Sequence, residues 1–350
     1  MFLLLSILAA ILAFLGMIIV VLPRYIPRIG VFLLYRVRLK RNILFASAIA
    51  LSGYSLIANS SLGEIISTFA TIGFLFLSLR IRPWMIFREL ESTDHIQGLT
   101  SDLDDDVLVM GYEGEEGSIA WPVKEMLMPK HIVHDELDGT PLLATYCPAC
   151  RSGMLFRPEI NGKKLSFRVQ GIWRRNLVMT DFQTHTLWQQ ATGEAIYGEL
   201  KAAKLPVLHG RQMKWGAWKK KNPDTILAAV PKNAKSGIIS DERLNRRFEQ
   251  ERVALLPGFV SLGDQVAPRE FVYGIVLDGI AKAYRVSDLS VNNEIVDHIG
   301  SRELRIYYDP ASEAIQICEI IGEQRREIPV ERHWWLGWKE FHPDTEVYSI

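Results

Sequence analysis

The sequence predicts N-terminal transmembrane α-helices followed by a β-rich, mainly antiparallel α+β soluble domain built from two related units. Three observations predict it. Apolar runs crowd the N-terminal quarter. From about Glu89 onward, short strand-like runs alternate with turn residues. Two stretches of that later part then echo each other and end in the same signature, Trp-Lys followed by Pro-Asp-Thr.

The first apolar run, Phe2 to Leu22, carries no charge and is long enough to cross a hydrocarbon core of roughly 30 Å. A cleavable signal peptide fits less well, because no basic residue precedes the run and no small-residue cleavage site ends it. Two shorter runs, Ile43 to Asn59 and Ile65 to Leu79, flank Ser60-Ser61-Leu62-Gly63 and read as a helical hairpin, giving spans of about 2–22, 43–59 and 63–79 within a membrane segment 1–88. The competing reading is a buried helical pair in a soluble domain. The loop Pro23 to Asn42 carries Arg24, Arg28, Arg36, Arg38, Lys40 and Arg41, and Arg80, Arg82 and Arg88 follow the third run beside Trp84. Positive-inside counting places both basic segments, and with them the C-terminal domain of a multi-pass protein, in the cytoplasm. Losing one span would move that domain to the extracytoplasmic side.

Strand-like runs follow at Val107–Tyr112, Leu142–Tyr146, Met154–Phe156, Leu165–Val169, Val272–Leu277 and Leu304–Tyr308, with Asn161-Gly162 as a two-residue hairpin signal. The division expected is a first β-rich unit over 89–230, a linker with an amphipathic surface helix (DERLNRRFEQERV) over 231–265, and a second, shorter unit over 266–350.

The units match in order. Ile119-Ala-Trp-Pro-Val123, Ile132-Val133 and Tyr146-Cys-Pro-Ala-Cys150 answer to Lys282-Ala-Tyr-Arg-Val286, Ile295-Val296 and Tyr308-Asp-Pro-Ala-Ser312. Trp218-Lys219 with Pro223-Asp224-Thr225 answers to Trp338-Lys339 with Pro343-Asp344-Thr345. This is the mark of a duplicated unit. The second copy lacks a counterpart for roughly Gly171 to Gly198. It also builds the Tyr-x-Pro-Ala-x turn with Asp309 and Ser312, so the turn does not need sulfur. That favours chemistry at Cys147 and Cys150 over packing. Cys318, the third cysteine, sits in an alternating strand and reads as a small buried hydrophobe.

The stretches Thr145-Tyr-Cys-Pro-Ala-Cys150, Gly171-Ile-Trp-Arg-Arg-Asn-Leu-Val-Met-Thr-Asp181, Leu187-Trp-Gln-Gln-Ala-Thr-Gly-Glu-Ala-Ile-Tyr-Gly198 and Trp218…Pro223-Asp224 together resemble the uncharacterised family called "domain of unknown function 3179". The resemblance covers roughly Asp104 to Ala229, with the second copy as a continuation. It implies no established activity. Some members look like selenoproteins with selenocysteine in the CxxC region, which implies redox chemistry there. Relatives also look exported, against the positive-inside count. Ala149 stands where a larger apolar residue is common, and Arg151-Ser152 follow the second cysteine.

Three readings of the CPAC site stay open. In the first it is a thiol–disulfide redox site, with Cys147 and Cys150 catalytic. Cys147, at the entry to the turn, is then the attacking thiol, and Arg151, Arg174 and Arg175 are candidate sources of the positive charge that lowers a thiol pKa. Tyr146, Pro148, Arg174, Asn176, Asp181, Trp188 and Gln190 are the supporting candidates, with Gln189 and Glu194 beside them; Asn176 and Asp181 could equally cap turns. In the second it is a zinc site that joins His131 and His134 to Cys147 and Cys150, with His209 as a further ligand candidate. The third is a non-catalytic, membrane-tethered binding module whose tryptophans line a pocket. No cofactor is predicted outside the zinc reading. The partners expected are the lipid bilayer and an unknown redox partner or small ligand. A formal net charge of zero gives no electrostatic reason to expect nucleic acid.

Overall fold

Apolar side chains at helical spacing fold the N-terminal region as helices in the computed structural model, which describes residues 1–79, 89–127, 130–231, 234 and 255–349. The helices run Phe2–Ile18, Pro27–Leu34, Val37–Ala58 and Leu62–Ser78. Two differ from the apolar runs. The first stops at Ile18, and Pro23 follows in a 3-10 turn over Leu22–Arg24. The third begins in the basic stretch, because Arg and Lys are good helix formers whatever their hydropathy. Val37–Ala58 is long and apolar enough to cross a membrane, while Phe2–Ile18 and Leu62–Ser78 are apolar but shorter. The expected hairpin turns at Asn59–Ser61. Arg80, Arg82, Trp84 and Arg88 lie outside the described residues, as does the amphipathic piece of the linker.

The three long helices pack with their small and polar residues inward. Ser6, Ser52, Ser55, Glu64, Ser67 and Thr71 are buried, while Leu4, Ile57, Ile66, Phe69 and Phe76 are exposed. Ser67 Oγ donates to the Ser6 carbonyl at 2.6 Å, and Ser55 Oγ to that of Phe2 at 2.7 Å. Helices packed in water do the reverse. The short helix Pro27–Leu34 docks on the β-rich part. Gln170 Nε2 donates to the Leu34 carbonyl and Trp173 Nε1 to that of Pro27, at 2.6 and 2.7 Å.

Among the described residues the β-rich part has five sheets of four or five strands, with a two-stranded hairpin besides. Sheet A orders Glu89–Leu90, Ile132–Leu137, Thr140–Cys147, Ser152–Phe156 and Val207–Leu208. Sheet B orders Arg211–Lys214, Leu108–Glu113, Ser118–Pro122, Ile226–Ala229 and Asp94–Gln97. Sheet C orders Phe167–Trp173, Asn176–Asp181, Leu187–Gln189 and Ala195–Tyr197. The period of two divides each strand of sheet A between two cores. Leu142, Ala144 and Tyr146 face Met110, Ile119 and Trp121 of sheet B. Leu143 and Cys147 face Phe167, Met179 and Trp188 of sheet C. The Asn161-Gly162 turn forms as expected, with φ of 50° and 74° between Glu159–Ile160 and Lys163–Lys164.

Sheets D and E follow. Sheet D orders Glu331–Trp334, Phe271–Leu277, Ile280–Arg285 and Glu346–Val347; sheet E orders Glu294–Ile299, Arg302–Asp309, Ala314–Ile321 and Gln324–Ile328. In chain order the strands of D repeat the order of the first four of B, and those of E repeat the last four of A. Details match too. Trp218 Nε1 donates to Thr225 Oγ1 at 2.8 Å, and Trp338 Nε1 to Thr345 Oγ1 at 2.9 Å. A Cβ on Gly111 or Gly274 would meet the ring of Trp218 or Trp338 at about 2.5 Å, so each indole needs a glycine beneath it.

Candidate functional site

Strand Thr140–Cys147 ends at Cys147, which pairs across the hairpin with Ser152. The turn between them places Arg151 at φ 53°. In sheet E Asp309 pairs with Ala314 across a turn of equal length, and Glu313 takes φ 54°. The two turns thus share a backbone and differ in side chains.

Both cysteines are free and fully buried, in the core between sheets A and C. Sheet C supplies the polar wall. Asn176 begins its second strand because the chain reverses at Arg174 and Arg175, both at positive φ. Asn176 Nδ2 donates to Cys150 Sγ at 3.2 Å and to Gln190 Oε1 at 2.8 Å. Asn176 Oδ1 accepts Gln189 Nε2 at 2.7 Å and the Ala191 backbone N–H at 3.0 Å, which fixes the amide's orientation. Gln190 Nε2 donates to Thr145 Oγ1 and to the Ser152 carbonyl, both at 3.2 Å. Ser152 Oγ lies 3.1 Å from Cys150 Sγ. A buried, connected network of this kind holds its members in one arrangement.

The remaining wall comes from sheet D and the helix after it, Trp335–Phe341. The Trp334 backbone N–H donates to the Cys150 carbonyl at 2.8 Å. A Cβ on Gly337 would stand 2.5 Å from Cys150 Cβ, so glycine lets that helix close over the thiol. His333, 2% exposed, has its Nε2 2.8 Å from Glu331 Oε2; its Nδ1 is buried without a hydrogen-bond partner among the described residues, and the ring acts on Cys150 through its charge. Burial alone would raise the Cys150 pKa. The hydrogen bond from Cys147, the His333 imidazole and the Ser152 hydroxyl outweigh it and hold Cys150 well below the usual thiol value. Burial and the neighbouring Cys150 push Cys147 well up. Burial would lower His333, but Cys150 and Glu331 bring it up to about 9. Cys150 is thus the more acidic of the two thiols, and His333 beside it is made more basic. Charge thus favours Cys150 as nucleophile, where sequence position favoured Cys147.

The family model Protein of unknown function (DUF3179) matches residues 87–325. The chain belongs to that family. No curated protein and no solved structure matches the chain. The DUF3179 match holds Cys147, Cys150, Asn176 and Gln190 and stops short of Glu331 and His333.

Of the other sequence candidates, Trp188 packs in the same core as the sulfurs, and the rest have other places. Pro148 is in the turn itself, while Tyr146 points to the opposite core. Arg174 and Arg175 bind the buried Glu340, at 3.1 and 2.8 Å. Asp181 accepts the Thr184 backbone N–H and Trp188 Nε1, the latter at 2.9 Å, so it caps a turn and holds an indole. Glu194 is exposed at an edge. The tryptophans Trp121, Trp188, Trp215, Trp218, Trp335 and Trp338 are core residues.

His131 and His134 are three apart on an extended segment and therefore face opposite sides of sheet A. His131 Nδ1 meets the Met126 carbonyl at 2.9 Å, and burial pushes its pKa down to about 4. His134 accepts the Phe167 backbone N–H at Nε2 and donates to the Leu90 carbonyl from Nδ1. It pairs with Leu143, four residues along the strand from Cys147, roughly 13 Å at the usual rise. Among the described residues, no three His, Cys, Asp or Glu side chains gather as a metal-binding group.

Glu331 and His333 escaped the sequence reading. One signal pointed to them. Aligned on Trp215 and Trp335, His333 replaces Met213 and Glu331 replaces Arg211, a departure between copies like that of Cys150 from Ser312.

Proposed function

We propose that this chain is a membrane-tethered dithiol protein in which Cys150 attacks a small disulfide and Cys147 resolves the product. The observation that carries this reading is the polar group around one buried sulfur: Asn176 Nδ2 donates to it, Ser152 Oγ lies 3.1 Å away, and the Cys147 thiol and the His333 imidazole favour its charged form. Such surroundings stabilise a thiolate, and the thiolate is the nucleophile in disulfide exchange.

In the forward step Cys150 forms a bond to one sulfur of the substrate disulfide. The substrate S–S bond breaks, and its leaving thiolate takes a proton from His333. Cys147 then gives up its proton and attacks Cys150 Sγ, forming the Cys147–Cys150 disulfide and releasing the second thiol. The substrate gains two electrons and two protons, and the protein loses them. Both sulfurs are enclosed, so a small disulfide fits the site better than one on a folded protein.

The matching strand orders support descent of the β-rich part from two copies of one unit, of which only the first carries cysteines at this turn. The inward polar and outward apolar faces of the N-terminal helices support a multi-pass bundle, since helices associate in lipid through small and hydrogen-bonding residues. Helix Pro27–Leu34 ties the β-rich part to the basic loop, and the positive-inside rule then puts both in the cytoplasm.

Mass spectrometry of single variants tests the redox reading. With a small disulfide, Cys147→Ser is expected to trap a mixed disulfide on Cys150, and Cys150→Ser to trap none. Adducts on Cys147 alone would reverse the roles. Stoichiometric zinc in the wild type, lost equally from both variants with no adduct in either, would overturn the redox reading.

A further inference from the structure

Where the helix Val37–Ala58 begins, it meets the outer face of sheet C around a cavity of about 220 Å³. Among the described residues Arg36, Arg38, Leu39, Arg168, Gln170, Thr180 and His185 line it, and none of these is a carboxylate. Three guanidiniums converging on one cavity repel each other and lose hydration. Arg168 stacks over the Phe182 ring at 4.7 Å, and its Nε is buried without a hydrogen-bond partner. The carboxylate that acts on Arg38 and Arg168 is Glu89, outside the lining. Arg36 sits at the N-cap of the helix, where the axial dipole is positive. Gln170 Nε2 is already used by the Leu34 carbonyl, so the charged donors that the cavity offers a ligand are the arginines, with the Thr180 hydroxyl and the His185 ring beside them. Arginine forks match the geometry of phosphate oxygens.

We propose that this cavity binds a phosphate group, carried by the headgroup of an anionic phospholipid. The choice of a lipid source rests on the membrane reading above: if Val37–Ala58 spans the bilayer, its first turn lies at headgroup depth, where basic pockets collect anionic lipids. The site is distinct from the cysteines, which lie in the core on the other side of sheet C.

The test uses the full chain in neutral detergent micelles, probed with dioleoyl phosphatidylglycerol, with dioleoyl phosphatidylcholine and with inorganic phosphate alone. Native mass spectrometry reads the bound lipid, and the thermal midpoint reads protection. Phosphatidylglycerol is expected to stay bound and phosphatidylcholine to be lost. The pair Arg38→Gln and Arg168→Gln together should weaken binding by about tenfold or more, as loss of charged hydrogen bonds does. Arg24→Gln, in the same basic loop but outside the cavity, should leave it unchanged. Equal binding of the two phospholipids, or equal weakening by Arg24→Gln and the pair, would overturn the proposal. If the pair does not fold, Arg36→Gln at an exposed position and Arg168→Lys replace it, with intermediate losses expected and unchanged binding overturning the site. Extraction of cell membranes with alkaline carbonate tests the membrane reading separately. Should the chain be released, protection by inorganic phosphate that the double variant loses would keep the cavity as a free-phosphate site, and no protection would overturn it.

Discussion

The turn at Cys147–Ser152 and the turn at Asp309–Ala314 share length, backbone and docking, yet only one encloses a pair of thiols. Each hands a carbonyl to the other half of the β-rich part: the Cys150 carbonyl accepts the Trp334 N–H, and the Ser312 carbonyl accepts the Lys214 N–H, both at 2.8 Å. At the second turn Asp309 is exposed and Ser312 half-buried, and Ser312 Oγ donates to the Asp309 carboxylate, which with backbone N–H groups holds its pKa below the usual value. At the first turn the same positions hold enclosed sulfurs, facing Asn176 and His333. A shared scaffold thus leaves one turn as a satisfied surface loop. The other is closed off by the sheet C insertion on one side and by Gly337 on the other.

The helices after the two tryptophan signatures differ in the same direction, and this contrast predicts the largest effect. Glu340 is fully buried, held by Arg174, Arg175 and the Phe259 N–H; Lys220, at the matching place, is exposed. Glu340→Gln would leave two guanidiniums without their counter-charge. It should destabilise the chain by about 3–5 kcal/mol, as breaking a buried pair does. Lys220→Gln should stay within about 0.5 kcal/mol, as surface changes do. Denaturation midpoints of the two variants check this. Equal, small effects would show that the clamp between the insertion and the second half contributes no stability.

Much of this was legible because it is encoded locally. The strand runs, the Asn161-Gly162 turn and the tryptophan signature each lie within a few residues, and the recurrence of similar stretches along the chain made them easier to read. Asn176 and Gln190 were legible as polar residues of the segment that only the cysteine-bearing copy has. Arg174 and Arg175 were placed wrongly, at the thiols, because sequence shows their charge but not the direction of a hairpin tip. Their partner Glu340 is far along the chain. His333 and Glu331 were missed for the same reason: the second half brings them to a turn of the first. The helix starting at Val37 was masked by basic residues that a hydropathy reading counts as loop.

His333 gives the next prediction. Replacing it by Gln removes the positive charge beside the Cys150 sulfur and should raise the Cys150 pKa toward the ordinary thiol value. Absorbance at 240 nm, followed against pH, reads the thiolate. A Ser312→Cys thiol, with Met213 on the strand that docks there, should titrate near the ordinary value of about 8.5. The signs set the window. Cys150 is depressed in the fold, so its contribution to stability is complete above the ordinary thiol value and is lost as pH falls through its lowered one. His333 is raised, so its contribution is complete below about 6.5 and is lost as pH rises through about 9. The ion pair therefore stabilises most between Cys150's lowered pKa and about 9. An unchanged titration in His333→Gln would remove the imidazole from the site.

The smallest effect tests the part the two halves share. Trp218 and Trp338 are buried indoles, each giving its N–H to a threonine seven residues on, Thr225 or Thr345, which sit 0% and 8% exposed. Thr225→Val and Thr345→Val keep side-chain volume and remove only the acceptor. Each leaves one buried N–H without a partner, which costs about 1–3 kcal/mol. This is less than at Glu340, because no charge is stranded. The cost should be the same in both halves, since the glycine beneath each ring and the bond lengths match. The double variant should lose the sum of the two, as independent sites do. Denaturation of the two single variants and the double reads this directly. A loss confined to one half would mean that the shared signature supports only that half, and the equivalence of the two frameworks would fail where it is most closely matched.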